Sequence, residues 1–261
     1  MTQLRLLVAC LLVCLITSIA VAEPKTIKLC YEASSSPEHK TPVAKKLILG
    51  KGLLLAVIKK AGSAANIQVL FYQRPWKRCI AEVSEGKADG MFSVIWKPER
   101  DQWGVYPKAP NNLQGPPDRR LRLWTAQYPV FTSIKGQLQW DGFRFHNIKH
   151  GVGAPLGYVA AKKLAADGVH SSLPLDPAHG FKLLTNNRLD GYVIETQYGH
   201  NIIEQLDLND KIKTLPIHYF EADWYLVFSH QYRKNNMNDS SQLWLNLEEA
   251  RTKLSKMHSS Q

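Results

Sequence analysis

The chain is poor in cysteine, in acidic residues and in apolar runs long enough to cross a bilayer. Its 261 residues hold four cysteines, and 22 acidic residues face 33 basic ones, a formal net charge of +11. A Gly-x-Ser-x-Gly nucleophile elbow and a His-Glu-x-x-His helix are both absent, so the commonest hydrolase and metalloprotease signatures are missing. His146 and His150 have helical i, i+4 spacing. The segment between them lies beside an expected strand and no acidic third ligand follows closely, so no metal site is read there. The basic residues are scattered and come with no nucleic-acid motif, which argues against a nucleic-acid partner. The charge excess implies solubility and steering of an anionic or zwitterionic ligand.

Met1 to Ala22 has the layout of a secretory signal. Arg5 supplies the positive start, Leu6 to Ile16 the apolar segment, and Ala20-Val21-Ala22 a small-x-small cleavage site before Glu23-Pro24. As a membrane span the run is short, and Thr17 and Ser18 break it. Leu7-Val8-Ala9-Cys10 mimics a lipoprotein signal, but too little apolar chain precedes Cys10. Cleavage after Ala22 removes Arg5 alone among the charges and leaves 32 basic against 22 acidic residues, a net of +10. The expected product is periplasmic, without stable membrane insertion. Cys10 and Cys14 leave with the signal. Cys30 and Cys79 remain, too few for a structural zinc site. An oxidising compartment favours a disulfide between them, the alternative being two buried thiols.

What is present is organised around Arg74 to Pro107. Pro75 to Gly86 carries Trp76, Cys79, Ile80 and Val83 at the i, i+3, i+4, i+7 spacing of an amphipathic helix. Gly90 to Trp96 is short and unbroken in its apolar character, the pattern of a strand buried on both faces. Lys97-Pro98-Glu99-Arg100 then leaves the carboxyl end of that strand, where open α/β sheets hold their ligands. Upstream, Thr26–Tyr31 and Ile67–Tyr72 read as strands, with a polar loop from Glu32 to Lys46 and a helix over Leu53–Ala61 ending at Gly62. Downstream, Lys108–Arg120 reads as a surface excursion and Leu121–Val130 as an extended crossover. Phe131–Trp140 is strand-like and Gly151–Val159 a strand followed by a turn. Val159–Ala166, Pro177–Asn186 and Thr196–Leu206 read as helices. Tyr192–Ile194, Ile212–Leu215 and His218–Ser229 read as strands, and Leu243–Met257 as a C-terminal helix. Gly86-Lys87-Ala88-Asp89-Gly90 is echoed by Asn187-Arg188-Leu189-Asp190-Gly191, each followed by a strand, which points to two similar lobes.

Three features suit the clamping of a small charged ligand. Arg100 offers a planar fork for a carboxylate, its alternative being a solvated or Glu99-paired surface residue. Gly153 to Tyr158 joins a strand to a helix, whose amides can hold an anion. Glu195, at the end of the echo strand, can meet an ammonium or cap the helix that follows. Tyr31, Trp76, Trp96 and Tyr158 are candidates for an aromatic-walled cleft, with core packing the plainer account of Trp76.

These segments resemble the periplasmic solute-binding proteins of family 3, over about Thr26 to Met257. The likeness is strongest at Pro75–Pro107, Val152–Lys162 and Asn187–Gln197. It implies a type II periplasmic-binding fold: two α/β lobes, each a mostly parallel sheet flanked by helices, joined by two crossover strands. Residues 23–126 and 217–261 would form one lobe and 127–216 the other. By resemblance Arg100 grips the ligand's carboxylate, Ser93 is a polar contact at the strand end, the Gly157 and Tyr158 amides touch the carboxylate, and Glu195 holds the α-amino group. Tyr31 and Trp96 complete the expected site. Lys97 stands where family members have a threonine, and the loop after Tyr31 departs from the amino-acid binders.

The implied function is capture of a small polar, amino-acid-like or carboxylate-bearing ligand, delivered by a monomer to an inner-membrane ABC permease, with no cofactor. An enzyme on the same scaffold, dehydratase- or lyase-like, and an orphan sensor subunit for a membrane receptor are the alternatives.

Overall fold

The structure is a computed structural model that describes residues 25–32, 48–171 and 176–259. The expected signal segment, with Cys10 and Cys14, and the polar stretch after Glu32 lie outside the described residues. In chain order the elements begin with β1 (Lys25–Glu32), α1 (Ile48–Ala64), β2 (Ile67–Arg74), α2 (Trp76–Ser84), β3 (Gly90–Ile95) and β4 (Trp124–Tyr128). Next come β5 (Val130–Ser133), β6 (Gln139–Trp140), β7 (Phe145–His146), β8 (Val152–Gly153), α3 (Val159–Ala166) and α4 (Pro177–Thr185). The remainder are β9 (Gly191–Val193), α5 (Thr196–Gln205), β10 (Ile212–Thr214), β11 (Phe220–Phe228), α6 (His230–Asn235) and α7 (Met237–Ser259).

Two sheets divide these strands, one ordered β2-β1-β3-β11-β4 and the other β10-β5-β9-β8, with β6 and β7 forming a separate ribbon. In the first sheet β11 is antiparallel to both neighbours and the other strands share one direction. In the second, β5 alone opposes the rest. Each sheet is therefore mostly parallel in direction, as expected. Within the described residues the chain passes between the sheets twice, at Pro129 and over Leu215–Tyr219. The two passages lie side by side: the Leu215 amide donates to Val130 O and the Tyr219 amide to Tyr128 O, both at 2.9 Å.

The first sheet is covered on both faces because its strands alternate between two cores. Leu226 and Phe228 point to one side with Val57, Ile58 and Ala61 of α1 and Leu243 and Leu247 of α7. Tyr225 and Val227 point to the other with Cys79 and Val83 of α2. Cys30 and Cys79, both fully buried, form a disulfide that ties β1 to α2. Gly90 opens β3 where β11 comes so close that a Cβ would meet Val227 O at 2.4 Å.

The echo between the sheets is structural as well as sequential. Asp89, just before β3, donates its amide to Lys28 O and accepts the Lys28 amide on Oδ2 at 2.7 Å. Asp190, just before β9, donates to Gly151 O and accepts the Lys149, His150 and Gly151 amides on Oδ2 at 2.6–2.9 Å. Both aspartates thus fasten a strand to the parallel neighbour that precedes it.

Several boundaries differ from expectation. Helix α1 runs past Gly62 to Ala64, and the left-handed turn falls at Asn66 (φ +54°), since asparagine also tolerates that conformation. The expected strand Phe131–Trp140 splits, because Ser133 O accepts the Gly136 amide in a turn that ends β5. The C-terminal helical region starts earlier than Leu243: Ser229 Oγ caps α6 by accepting the Tyr232 amide, and α7 follows from Met237. Among the described residues no helix is long and apolar enough to cross a membrane.

Candidate functional site

A cleft of about 370 Å3 opens where the carboxyl ends of β1 and β3 meet the N-terminal ends of α3 and α5. Strand ends leave unpaired backbone and outward side chains at this position, which is why open sheets put their sites there. Of the residues singled out in the sequence, Tyr31, Ser93, Arg100, Tyr158 and Glu195 line it.

Arg100 is delivered by the turn Pro98–Gln102, a 3-10 helix with proline at its start. Its Nη1 donates to Ile95 O at 2.8 Å, and its guanidinium lies over the Trp76 ring, 5.8 Å from the centroid. Arg100 does not pair with Glu99, whose carboxylate instead reaches Lys162 Nζ at 2.9 Å. Among the described residues Arg100 forms no ion pair within 4.0 Å.

Ser93 stands in β3 with φ +63°, a left-handed conformation unusual for serine, facing the register shift in β11 between Tyr225 and Val227. Bulges of this kind re-aim side chains beside functional sites. Glu195 is the N-cap of α5 and accepts the Tyr198 amide on Oε2 at 2.9 Å. Tyr31 stacks on Phe92 with centroids 5.3 Å apart and meets Phe71 edge-on.

Tyr158 reaches across from the N-cap of α3 to β1, where its hydroxyl donates to Glu32 Oε2, and its ring lies 5.9 Å from that of Trp76. Burial, reinforced by the Glu32 carboxylate, holds its hydroxyl well above the ordinary tyrosine pKa, so it stays a donor. The Tyr158 amide, read in the sequence as an anion donor, is spent within its own turn on Pro155 O at 3.2 Å.

Gly157 and Trp96 are not among the lining residues. Gly157 takes φ +84° in the exposed turn before α3. Trp96 packs beside the disulfide core, its Nε1 donating to Asp101 Oδ1 at 3.1 Å and its ring covered by Lys108 Nζ at 5.6 Å. Trp96 shares its face of β3 with Val94, while Ser93 and Ile95 face the cleft.

Sequence reasoning missed Trp124 and Trp224, cross-strand partners in β4 and β11, and Glu32 at the end of β1. The expected strand His218–Ser229 was grouped with the first lobe, but the sequence does not name β4 as its ladder neighbour. Trp76, for which packing was the plainer account, also lines the cleft. Eight of the lining side chains are aromatic: Tyr31, Trp76, Phe92, Trp124, Tyr128, Tyr158, Tyr198 and Trp224. A site this aromatic with a few convergent polar groups has the make-up of a small-molecule site. Among the described residues no three His, Cys, Asp or Glu side chains are placed to hold a metal ion.

No family model matches the chain, and no curated protein matches it. Solved structures do. A histidine kinase sensor domain with similarity to periplasmic binding proteins aligns with TM-score 0.60 at 13% identity, over 91% of this chain and 93% of that one. An ancestral arginine-binding protein bound to glutamine aligns with TM-score 0.60 at 18% identity, over 88% and 92%. The substrate-binding protein of an amino acid ABC transporter aligns with TM-score 0.57 at 14% identity, over 89% and 94%. At these identities the likeness establishes the fold, the two-lobed α/β architecture of periplasmic binding proteins.

Proposed function

We propose that the protein is an extracytoplasmic solute-binding protein. It captures a small carboxylate-bearing, amino-acid-like ligand in the cleft and delivers it to an inner-membrane ABC permease. Arg100 grips the carboxylate in a bidentate fork, Ser93 adds a hydroxyl contact, and Glu195, beyond its capping bond, receives a ligand cation. Residues 23–126 and 217–261 move as one lobe and 127–216 as the other, hinged at the paired passages beside Pro129 and Leu215–Tyr219. Ligand biases that equilibrium toward closure. The protein works as a periplasmic monomer, exported by residues 1–22.

The observation that carries this reading is the Arg100 guanidinium, which lines an aromatic cleft between two sheets together with Glu32 and Glu195, is held by Ile95 O, and forms no ion pair within 4.0 Å among the described residues. Solved structures with this fold include an amino acid transporter's binding protein and an arginine-binding protein, which supports capture rather than turnover. A second reading, a ligand-sensing subunit for a membrane receptor, is favoured by the kinase sensor domain, which aligns over nearly its whole length.

A thermal-shift screen of amino acids, small peptides, carboxylates and polyamines tests the capture step. A true ligand at a hundred times its Kd adds about 2.7 kcal/mol of stability. Arg100→Ala should weaken the best hit at least about tenfold, the loss of a charged hydrogen bond; an unchanged affinity removes Arg100 from the site. Stimulation of a reconstituted permease's ATPase by the liganded protein supports import, and stimulation of a receptor kinase alone supports sensing.

A further inference from the structure

We propose that the cleft selects a ligand with a flat aromatic body, an aryl or indolyl carboxylate of which an aromatic amino acid is one form. This rests on the reading of Arg100 as the carboxylate clamp and deepens it. The observation behind it is a row of three side chains across three adjacent strands. Ile95 of β3 lies opposite Trp224 of β11, and Trp224 lies opposite Trp124 of β4. Directly opposed residues project to the same face of a sheet, and all three line the cleft.

The row begins at the arginine's anchor, since Ile95 O is the acceptor of Arg100 Nη1 at 2.8 Å. Neighbouring strands are about 4.8 Å apart. Trp224 therefore stands one strand, and Trp124 two strands, from the point where the guanidinium is fixed, or about 5 and 10 Å. That span matches an acid whose ring is joined to its carboxylate through a short chain. A ring there would lie along indoles while the carboxylate met Arg100.

Both indoles are only half-buried, yet Trp224 is held rigidly, its Nε1 donating to the Tyr128 hydroxyl at 2.9 Å. A fixed, half-covered aromatic surface inside a concave site is apolar area that a ligand ring would remove from water. The polar groups nearby are largely turned toward one another. Thr196 Oγ1 donates to Gln127 O at 3.1 Å and Gln197 Nε2 to Asn201 Oδ1 at 3.1 Å. A ligand with a neutral polar body, such as glutamine, would give up hydration along the row with little in return. A cationic body such as arginine's would have to leave the row for the Glu32 and Glu195 carboxylates that also line the cleft.

The test is titration calorimetry of the intact protein with L-tryptophan, L-phenylalanine, 3-phenylpropionate, L-glutamine, L-arginine, L-alanine and tryptamine. The proposal expects at least one aromatic carboxylate to bind about tenfold or more tighter than glutamine, arginine and alanine. It also expects Trp124→Leu, which keeps apolar bulk, to shrink that preference at least threefold, on the order of half a hydrophobic ring contact. Tightest binding by glutamine or arginine overturns the aromatic body while leaving carboxylate capture standing. Tryptamine binding as tightly as tryptophan overturns the clamp, and with it an aryl carboxylate as ligand. No binding by any panel member overturns the proposal outright. Should Trp124→Leu fail to fold, the ranking on the unaltered protein decides.

Discussion

Lys162 Nζ, on the first helix that follows β8, sits 2.9 Å from Oε1 of Glu99, the residue next to Arg100 in the first-sheet turn. The pair ties the Arg100 turn to α3, and the Tyr158–Glu32 bond ties the N-cap of the same helix to β1. The Lys162 contact, with a backbone hydrogen bond behind it, holds the Glu99 carboxyl below the usual glutamate range. A lowered folded pKa means the attraction is complete above the ordinary glutamate value and fades as pH falls through the lowered one.

Both side chains are more than half exposed, so the pair is worth about 0.2–1 kcal/mol. Lys162→Ala should therefore weaken ligand binding by no more than about fivefold at low salt, and the difference should vanish at about 1 M salt, where the Debye length is about 3 Å. Calorimetry of the best ligand at two salt concentrations measures this. A loss that persists at high salt would assign Lys162 a direct role in the site.

Ser93 holds a left-handed backbone in the middle of a strand, a conformation that costs a residue with a Cβ about 1–2 kcal/mol. Ser93→Gly relieves that strain and gives back part of the gain as unfolded-chain entropy. The net expectation is a gain of about 0.5–1 kcal/mol in urea unfolding, together with weaker ligand binding. Ser93→Val should lower stability by at least about 1 kcal/mol, since a β-branched residue tolerates this region least.

The Cys30–Cys79 disulfide spans 49 residues. In the chain-entropy account a loop of that size contributes about 4 kcal/mol. Replacing both cysteines by alanine should lower Tm by roughly 10 °C in a domain of this size. Both sulfurs are buried, so reductant should act only once the fold opens, and thiol labelling under native conditions should be slow.

Asp190 serves three backbone amides where Asp89 serves one. Such a bond to a carboxylate is worth about 1.5–3 kcal/mol when shielded, and less for the exposed Lys149 and His150 amides, which water can serve in its absence. Asp190→Ala should destabilise by about 1.5–3 kcal/mol, beyond Asp89→Ala, with Asp190→Asn between Asp190→Ala and the unaltered protein. Denaturant titration of the three variants orders them.

Much of this was legible before any coordinates. The Asp-Gly echo, the apolar run of β3 and the proline that opens the Arg100 turn are local signals, and local signals survive in a single sequence. Pairs of strands distant in the chain are not written that way. Trp124 and Trp224 are a hundred residues apart, and nothing in either segment names the other as its ladder partner. Trp96 was a candidate by its aromatic character alone. The structure packs it with Val94 beside the disulfide, on the face of β3 opposite Ser93 and Ile95, and composition does not say which face an aromatic takes.

The amino-acid sequence by itself determined the alternation of strand and helix, the two similar halves and an arginine at a strand's carboxyl end, and it left Cys30 and Cys79 as a candidate pair. These follow from periodicity, turn chemistry and composition, which act over a few residues. The tertiary structure alone decided that a glutamate and a tyrosine 126 positions apart meet across the cleft, that Trp76 faces into it, and that three opposed side chains lead away from Arg100. Those outcomes depend on which strands become neighbours and how two sheets face each other, and loop closure over long separations is set by the whole fold rather than by any one segment.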